Sequence, residues 1–160
     1  IVINGRRLDL TEEQLKQLGI EPEKKNPFKR VKPDERYYYV KSDGVIDEYK
    51  DANDSTDAQL YKVSNYFNDE IFAKQVALHQ LLYRKLLKFA YGNGIEDTAE
   101  WNGDNQHWAI RYNNDRKEFD SYCQIGYKAR DVYFSSEKSV ERAIHEVVEP
   151  FMREHPEFVW

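Results

Sequence analysis

Hydrophobic and polar positions alternate in short runs that twice give way to a longer helical period. Tyr37-Tyr38-Tyr39-Val40 and Val45-Ile46-Asp47-Glu48-Tyr49, separated by Asp43-Gly44, read as a hairpin, because Asp43 and Gly44 tolerate the positive φ of a two-residue turn. Leu60 to Phe67 then supplies a third strand. Asn68 caps a helix from Asp69 to about Tyr91, which Gly92-Asn93-Gly94 stops. The pattern recurs in the second half. Trp108, Ile110 and Tyr112 alternate with Ala109 and Arg111, Phe119 to Gln124 returns after an Asn113-Asn114-Asp115 turn, and Val132-Tyr133-Phe134 forms another third strand. Ser135 or Ser136 caps a helix striped by Val140, Ala143, Ile144, Val147 and Phe151, with Pro150 as a kink or break.

Tyr66-Phe67-Asn68-Asp69-Glu70 and Tyr133-Phe134-Ser135-Ser136-Glu137 hold the same place in each half, about 67 residues apart. The spacing predicts an α+β protein of two tandem βββα units, antiparallel sheets each backed by one helix, over residues 37–94 and 95–160. Core positions follow the helical stripes: Phe72, Val76, Leu82, Leu86, Val140, Ile144 and Val147. Residues 1–36 form an N-terminal arm and linker. Val2 to Leu10 alternate around an Asn4-Gly5 turn, Thr11 and Gln14 make a capping box for a helix over Glu12 to Leu18, Gly19 stops it, and three prolines keep Glu21 to Arg36 extended.

Composition narrows the class. A chain of 160 residues, 40% hydrophobic and 14% aromatic, suits one compact domain for 37–160, and twelve tyrosines exclude a disordered polyelectrolyte despite 33% charged residues. One cysteine, Cys123, excludes an internal disulfide framework and makes a reducing cytoplasm the expected compartment. No apolar run reaches the length of a membrane span.

The stretch Leu8-Asp9-Leu10-Thr11-Glu12-Glu13-Gln14, the tyrosine-rich hairpin, Trp101 to Tyr112 and Val132-Tyr133-Phe134-Ser135-Ser136-Glu137 resemble small uncharacterised proteins encoded by phages and prophages of Gram-positive bacteria. The resemblance implies a mobile-element origin and brings no activity or catalytic residues with it. In layout, each βββα unit is similar to the DNA-binding modules of plant ethylene-response factors and the arm-binding domains of phage integrases.

Charge adds the candidate surfaces. The net charge of −5 hides segregation: Asp43, Asp47, Glu48, Asp51, Asp54 and Asp57 face only Lys50 between residues 43 and 57, and Glu96, Asp97, Glu100 and Asp104 form a second acidic stretch. Residues Lys24 to Arg36 hold six bases against two acids, and Ile71 to Tyr91 carries Lys74, Arg84, Lys85 and Lys88 without an acid. At 100° per residue those four bases share one sector of roughly 100°, a basic stripe. Carboxylates along an extended hairpin imitate a row of phosphates and suit the basic channel of a nucleic-acid-binding protein. Gln75 and His79, four apart inside the apolar stripe, read as an internal hydrogen-bonding pair or an open contact surface.

Catalytic and metal patterns are broken. Asp51-x-Asn53-x-Ser55-x-Asp57 begins like a calcium loop, but Thr56 stands where glycine is needed and Lys62 where the bidentate glutamate belongs. His145-Glu146-Val147-Val148-Glu149 lacks the second histidine of a zinc motif, and Gly92-Asn93-Gly94 lacks the lysine of a phosphate loop. Cys123 has no neighbouring histidine. The expectation is a non-enzymatic, phage-borne binding protein without cofactor or metal. Its partner is a host protein, with a nucleic-acid-mimicking anti-CRISPR or other anti-defence inhibitor as one form. Nucleic-acid binding through the βββα units or the basic stripe is the alternative.

Overall fold

Two hairpins and one long helix carry the architecture. In the computed structural model, residues 2–3, 6–7, 11–19 and 25–160 are described. Strands β1 (Val2–Ile3) and β2 (Arg6–Arg7) pair antiparallel, and α1 (Glu12–Gln17) follows. The Asn4-Gly5 turn, Leu8 to Leu10 and Glu21 to Lys24 lie outside the described residues. Next come β3 (Arg36–Val40), β4 (Ile46–Lys50), α2 (Ser55–Lys62) and α3 (Glu70–Gly92), then β5 (His107–Asn113), β6 (Glu118–Gln124), α4 (Glu137–Ala143), a π-helical segment (Ile144–Val148) and α5 (Glu149–Glu154). The protein is α+β, and each of its described sheets has two antiparallel strands.

The third strands expected of two βββα units are absent, and isolated bridges stand in their place. In the first unit, Leu60 to Lys62 are helical, because Asp54 caps α2 through the Thr56 and Asp57 amides and Asp57 returns the bond to Asp54 N–H, a full capping box. After α2, the β3 edge is met by one residue and one side chain. Phe67 exchanges two backbone bonds with Tyr38, at 2.7 and 2.9 Å. Asn65 uses its amide as a substitute peptide, accepting from Val40 N–H and donating to Val40 carbonyl, both at 2.8 Å. In the second unit Phe134 bridges Trp108 on one side and Glu96 on the other. The repeated Tyr-Phe pair thus marks a repeated bridge, Phe67 and Phe134, where a full strand is expected.

Turn and cap chemistry explains the rest. The β3–β4 connection runs over Lys41–Val45 and is longer than a two-residue turn: Gly44 sits at φ +85 and donates to Lys41 carbonyl, while Asp43 accepts from Val45 N–H. Asp69, one residue beyond Asn68, caps α3 through Phe72 N–H. Asn68 instead donates to the carbonyls of Asn26 and Lys29, tying the linker to the helix start. Ser136 caps α4 through Ser139 N–H. The helix does not stop at Pro150. Proline removes one donor and crowds the carbonyl four residues back, and the backbone widens to a π turn just before it, with Glu149 N–H reaching Ile144 carbonyl.

The core joins both units through α3. Leu78, Leu82, Leu86 and Ala90 form an i,i+4 ridge buried against Ile110, Phe134, Val140, Ile144 and Val148. Such a ridge advances 40° per step on a 3.6-residue helix, so the buried face rotates along the helix. Phe72, Val76 and Val147, expected in the core, are half-buried, and Ile71 is 76% exposed. Ala73 and Ala77 are buried instead.

Candidate protein-binding face

The first hairpin and α2 build a ribbon of tyrosines. Tyr37 and Tyr49 oppose each other across β3 and β4, and Tyr39 lies two residues along on the same face. Ring centroids run 6.1 Å from Tyr49 to Tyr39, 6.4 Å to Tyr37, 4.0 Å to a stacked Tyr66 and 5.5 Å to Tyr61. The middle of the ribbon is buried, Tyr37 and Tyr66 at 0% and 1% exposure, and its ends open to solvent, Tyr49 at 59% and Tyr61 at 45%.

Beneath the ribbon is a closed polar network. Tyr37 OH donates to Asp57 and Tyr66 OH to Asp51, each at 2.8 Å. Arg30 grips Asp51 with Nε at 2.8 Å and Nη2 at 3.1 Å, Asn53 N–H adds a fourth donor, and Val31 N–H donates to Tyr66 Oη. Bonding to Arg30 holds the Asp51 carboxyl down at about 2 against its burial. Burial, then the hydrogen bond to Asp51, pushes the Tyr66 phenol up to about 12, and burial with Asp57 raises Tyr37 as well. Burial and then Asp47 raise Tyr39. With its donors and acceptors matched, the network fixes the rings in one geometry.

This network redraws the acidic candidate. Asp51 and Asp57 are buried structural acceptors, so they do not belong to an exposed surface. Asp54 is exposed but its carboxylate caps α2. Asp54→Ala should cost about 1 kcal/mol in chemical denaturation, and Asp54→Ser, which can still cap, only a few tenths. Asp43, Asp47 and Glu48 remain exposed, with Asp43 paired to Lys41 and Glu48 to Arg36. Asp47 also accepts from Glu48 N–H, a backbone donor on the open side of β4, which blunts that strand edge.

In the basic stripe, one residue of four is paired with an acid. Lys74, Arg84, Lys85 and Lys88 are all exposed on α3. Lys74 pairs with Glu157 at 3.0 Å, the Arg84 guanidinium lies over the β3–β4 turn 3.3 Å from where a Gly44 Cβ would be, and Lys85 and Lys88 share a groove with Glu146 and Glu154.

Sequence reasoning missed a second buried cluster. His107, fully buried, donates Nδ1–H to Asp97 at 2.6 Å, Trp101 stacks on its ring at 3.5 Å and 7°, and Tyr133 closes the edge of the indole. Lys128 lies over Trp101 at 5.4 Å. This cluster binds the loop before β5 to the sheet, and it removes Asp97 from the second acidic stretch. Gln75 and His79 face the segment after α5, where Gln75 makes two backbone bonds and His79 packs on Phe158. His145 and Glu149 form an exposed pair at 3.1 Å. Among the described residues, no group of three or more His, Cys, Asp or Glu is placed to hold a metal ion, and no helix is long and apolar enough to cross a membrane. Compared with known proteins, the chain matches no family model, no curated protein and no solved structure.

Proposed function

We propose that this chain is a non-enzymatic, phage-borne binding protein that antagonises a host protein through the tyrosine face of its first hairpin. The observation that carries the reading is the ribbon itself: rings held rigid at its centre by buried carboxylates, with Tyr49 and Tyr61 exposed at its ends and Asp47 on β4 opposite Tyr39. Tyrosine gives large contact area with few rotors to freeze, which is why it dominates protein-binding surfaces. Exposed carboxylates beside it suit a cationic partner surface, including the nucleic-acid channel of a host defence protein, by attraction to its lysines and arginines and by cation–π contact.

The test is capture from Gram-positive host lysate, with and without nuclease treatment, by immobilised protein. Tyr49→Ala with Tyr61→Ala should weaken the captured complex by about 30-fold or more, the scale of losing an aromatic hot spot. Asp47→Asn with Glu48→Gln should slow association and reduce its dependence on salt. Arg84→Gln, Lys85→Gln and Lys88→Gln together should leave the complex intact. The reading fails if the basic triple variant loses the partner while the tyrosine variant keeps it, or if the captured material is nucleic acid, which would assign the function to the basic stripe.

A further inference from the structure

A pocket opens at one end of the tyrosine ribbon. Among the described residues it is lined by Phe28, Tyr61, Ser64 and Tyr66, and its volume of about 330 Å³ is at the lower end for ligand pockets. Tyr61 and Phe28 are its open walls, at 45% and 40% exposure, and Tyr66, at 1%, is its buried wall. The Tyr61 ring stands at 85° to the Tyr66 ring with centroids 5.5 Å apart, and Phe28 is braced by Phe67 at 5.3 Å and Phe72 at 5.4 Å. Three aromatic side chains thus share one opening.

The end of α2 sets the backbone there. Asn65 N–H donates to Leu60 carbonyl at 2.9 Å and Ser64 N–H to Tyr61 carbonyl at 3.1 Å, with Ser64 left-handed at φ +57. Glycine ordinarily takes the left-handed place in this closing turn, and an exposed serine holds it here although its Cβ disfavours the conformation. The turn satisfies those two carbonyls and leaves the carbonyls of Lys62, Val63 and Ser64 without a backbone donor among the described residues. This end of the helix therefore carries partial negative charge.

The rings add to it. Tyr66 donates to Asp51, and Tyr37, stacked on Tyr66 at 4.0 Å, donates to Asp57. A phenol that donates to a carboxylate keeps more electron density on its ring, which deepens the negative face that attracts cations. Within this network two buried carboxylates face one guanidinium, that of Arg30, which leaves one negative charge over. An ammonium would gain from the ring faces alone. A guanidinium also lies flat on an aromatic wall and turns its N–H donors to carbonyl oxygens at the edge.

We infer that the pocket between Phe28, Tyr61 and Tyr66 receives an arginine side chain of the protein that the tyrosine face binds. The inference rests on that reading of the face and gives the chemistry of the partner's anchor.

The probes are acetyl-Gly-Arg-Gly amide and the same peptide with citrulline, which keeps the shape of arginine and loses its charge. Each is titrated against the full chain while the Phe28 and Tyr61 ring signals and the Ser64 amide are followed by NMR. The arginine peptide should shift these signals saturably, and the citrulline peptide should bind about fivefold or more weakly. Tyr61→Leu, which keeps apolar bulk and removes the ring, should weaken the arginine peptide by a similar factor. Tyr127→Leu, at a tyrosine 82% exposed in the second half of the chain, should not. Equal affinity for the two peptides on the native chain, no saturable shift, or indifference to Tyr61→Leu overturns the inference. A lysine peptide that binds as tightly as the arginine peptide overturns the assignment to a guanidinium. The probes need no captured partner, so the two failures separate. Lost discrimination overturns the inference even where lysate capture succeeds, and failed capture beside a pocket that still selects arginine overturns the reading of the face.

Discussion

Phe134→Ala is expected to destabilise the protein by about 3–5 kcal/mol, the cost of removing a buried phenylalanine and leaving its cavity. Phe134 is fully buried, bridges Glu96 to Trp108 through the backbone, and contributes its ring to the core that α3 shares with α4 and the π segment. In a domain of this size the loss should lower the melting temperature by roughly 10 °C. Phe67→Ala tests its counterpart, since Phe67 is 1% exposed and packs on Phe28 at 5.3 Å and Phe72 at 5.8 Å. If the repeat is a physical repeat of bridge and plug, both variants lose stability on the same scale. A loss below about 0.5 kcal/mol at Phe134 would mean that the core does not depend on its ring, because surface substitutions alone fall in that range.

Local chemistry was legible in the chain, and non-local pairing was not. Thr11 with Gln14, Gly44 in the first hairpin and Ser136 before α4 each act within a few residues, so spacing alone exposes them. The hairpins follow from alternation for the same reason. The third strands fail because Tyr66-Phe67 and Val132-Tyr133-Phe134 have the composition of strands, whereas the sheets need only one backbone bridge from each. Asn65 supplies the rest of the first with a side chain that no β-propensity anticipates. α2 was signalled by Asp54 and Asp57 at capping-box spacing, but in a run of acids that spacing is hidden by charge. Asp97 and His107 lie ten residues apart, and Phe134 bridges their chain neighbours Glu96 and Trp108. The tyrosine ribbon has the same origin. Tyr37, Tyr39 and Tyr49 are readable as one hairpin face, and Tyr61 and Tyr66 join them only once residues 55–62 are helical.

Asp51 is where the ribbon's rigidity can be measured. Asp51→Ala leaves Arg30, Tyr66 and Asn53 N–H without their shared acceptor, and breaking such a partly buried pair should cost about 3 kcal/mol or more. The native protein should show the same linkage in its acid profile. The Asp51 carboxyl titrates at about 2 in the fold, below the ordinary value of about 3.9 in an unfolded chain, so the folded state binds fewer protons over that window. Its contribution, about 2 kcal/mol, is complete above about pH 4 and is lost as pH falls through 2. The Tyr66 phenol acts with the opposite sign. Raised to about 12, it contributes stability that is complete below about pH 10 and is lost as pH rises through 12. Urea denaturation of native protein and Asp51→Asn across pH 2–5 separates this linkage from general acid unfolding, because only the native chain should carry the Asp51 slope. Parallel profiles for the two would show that Arg30 and Asp51 do not couple, and the exposed rings of Tyr49 and Tyr61 would then rest on no fixed base.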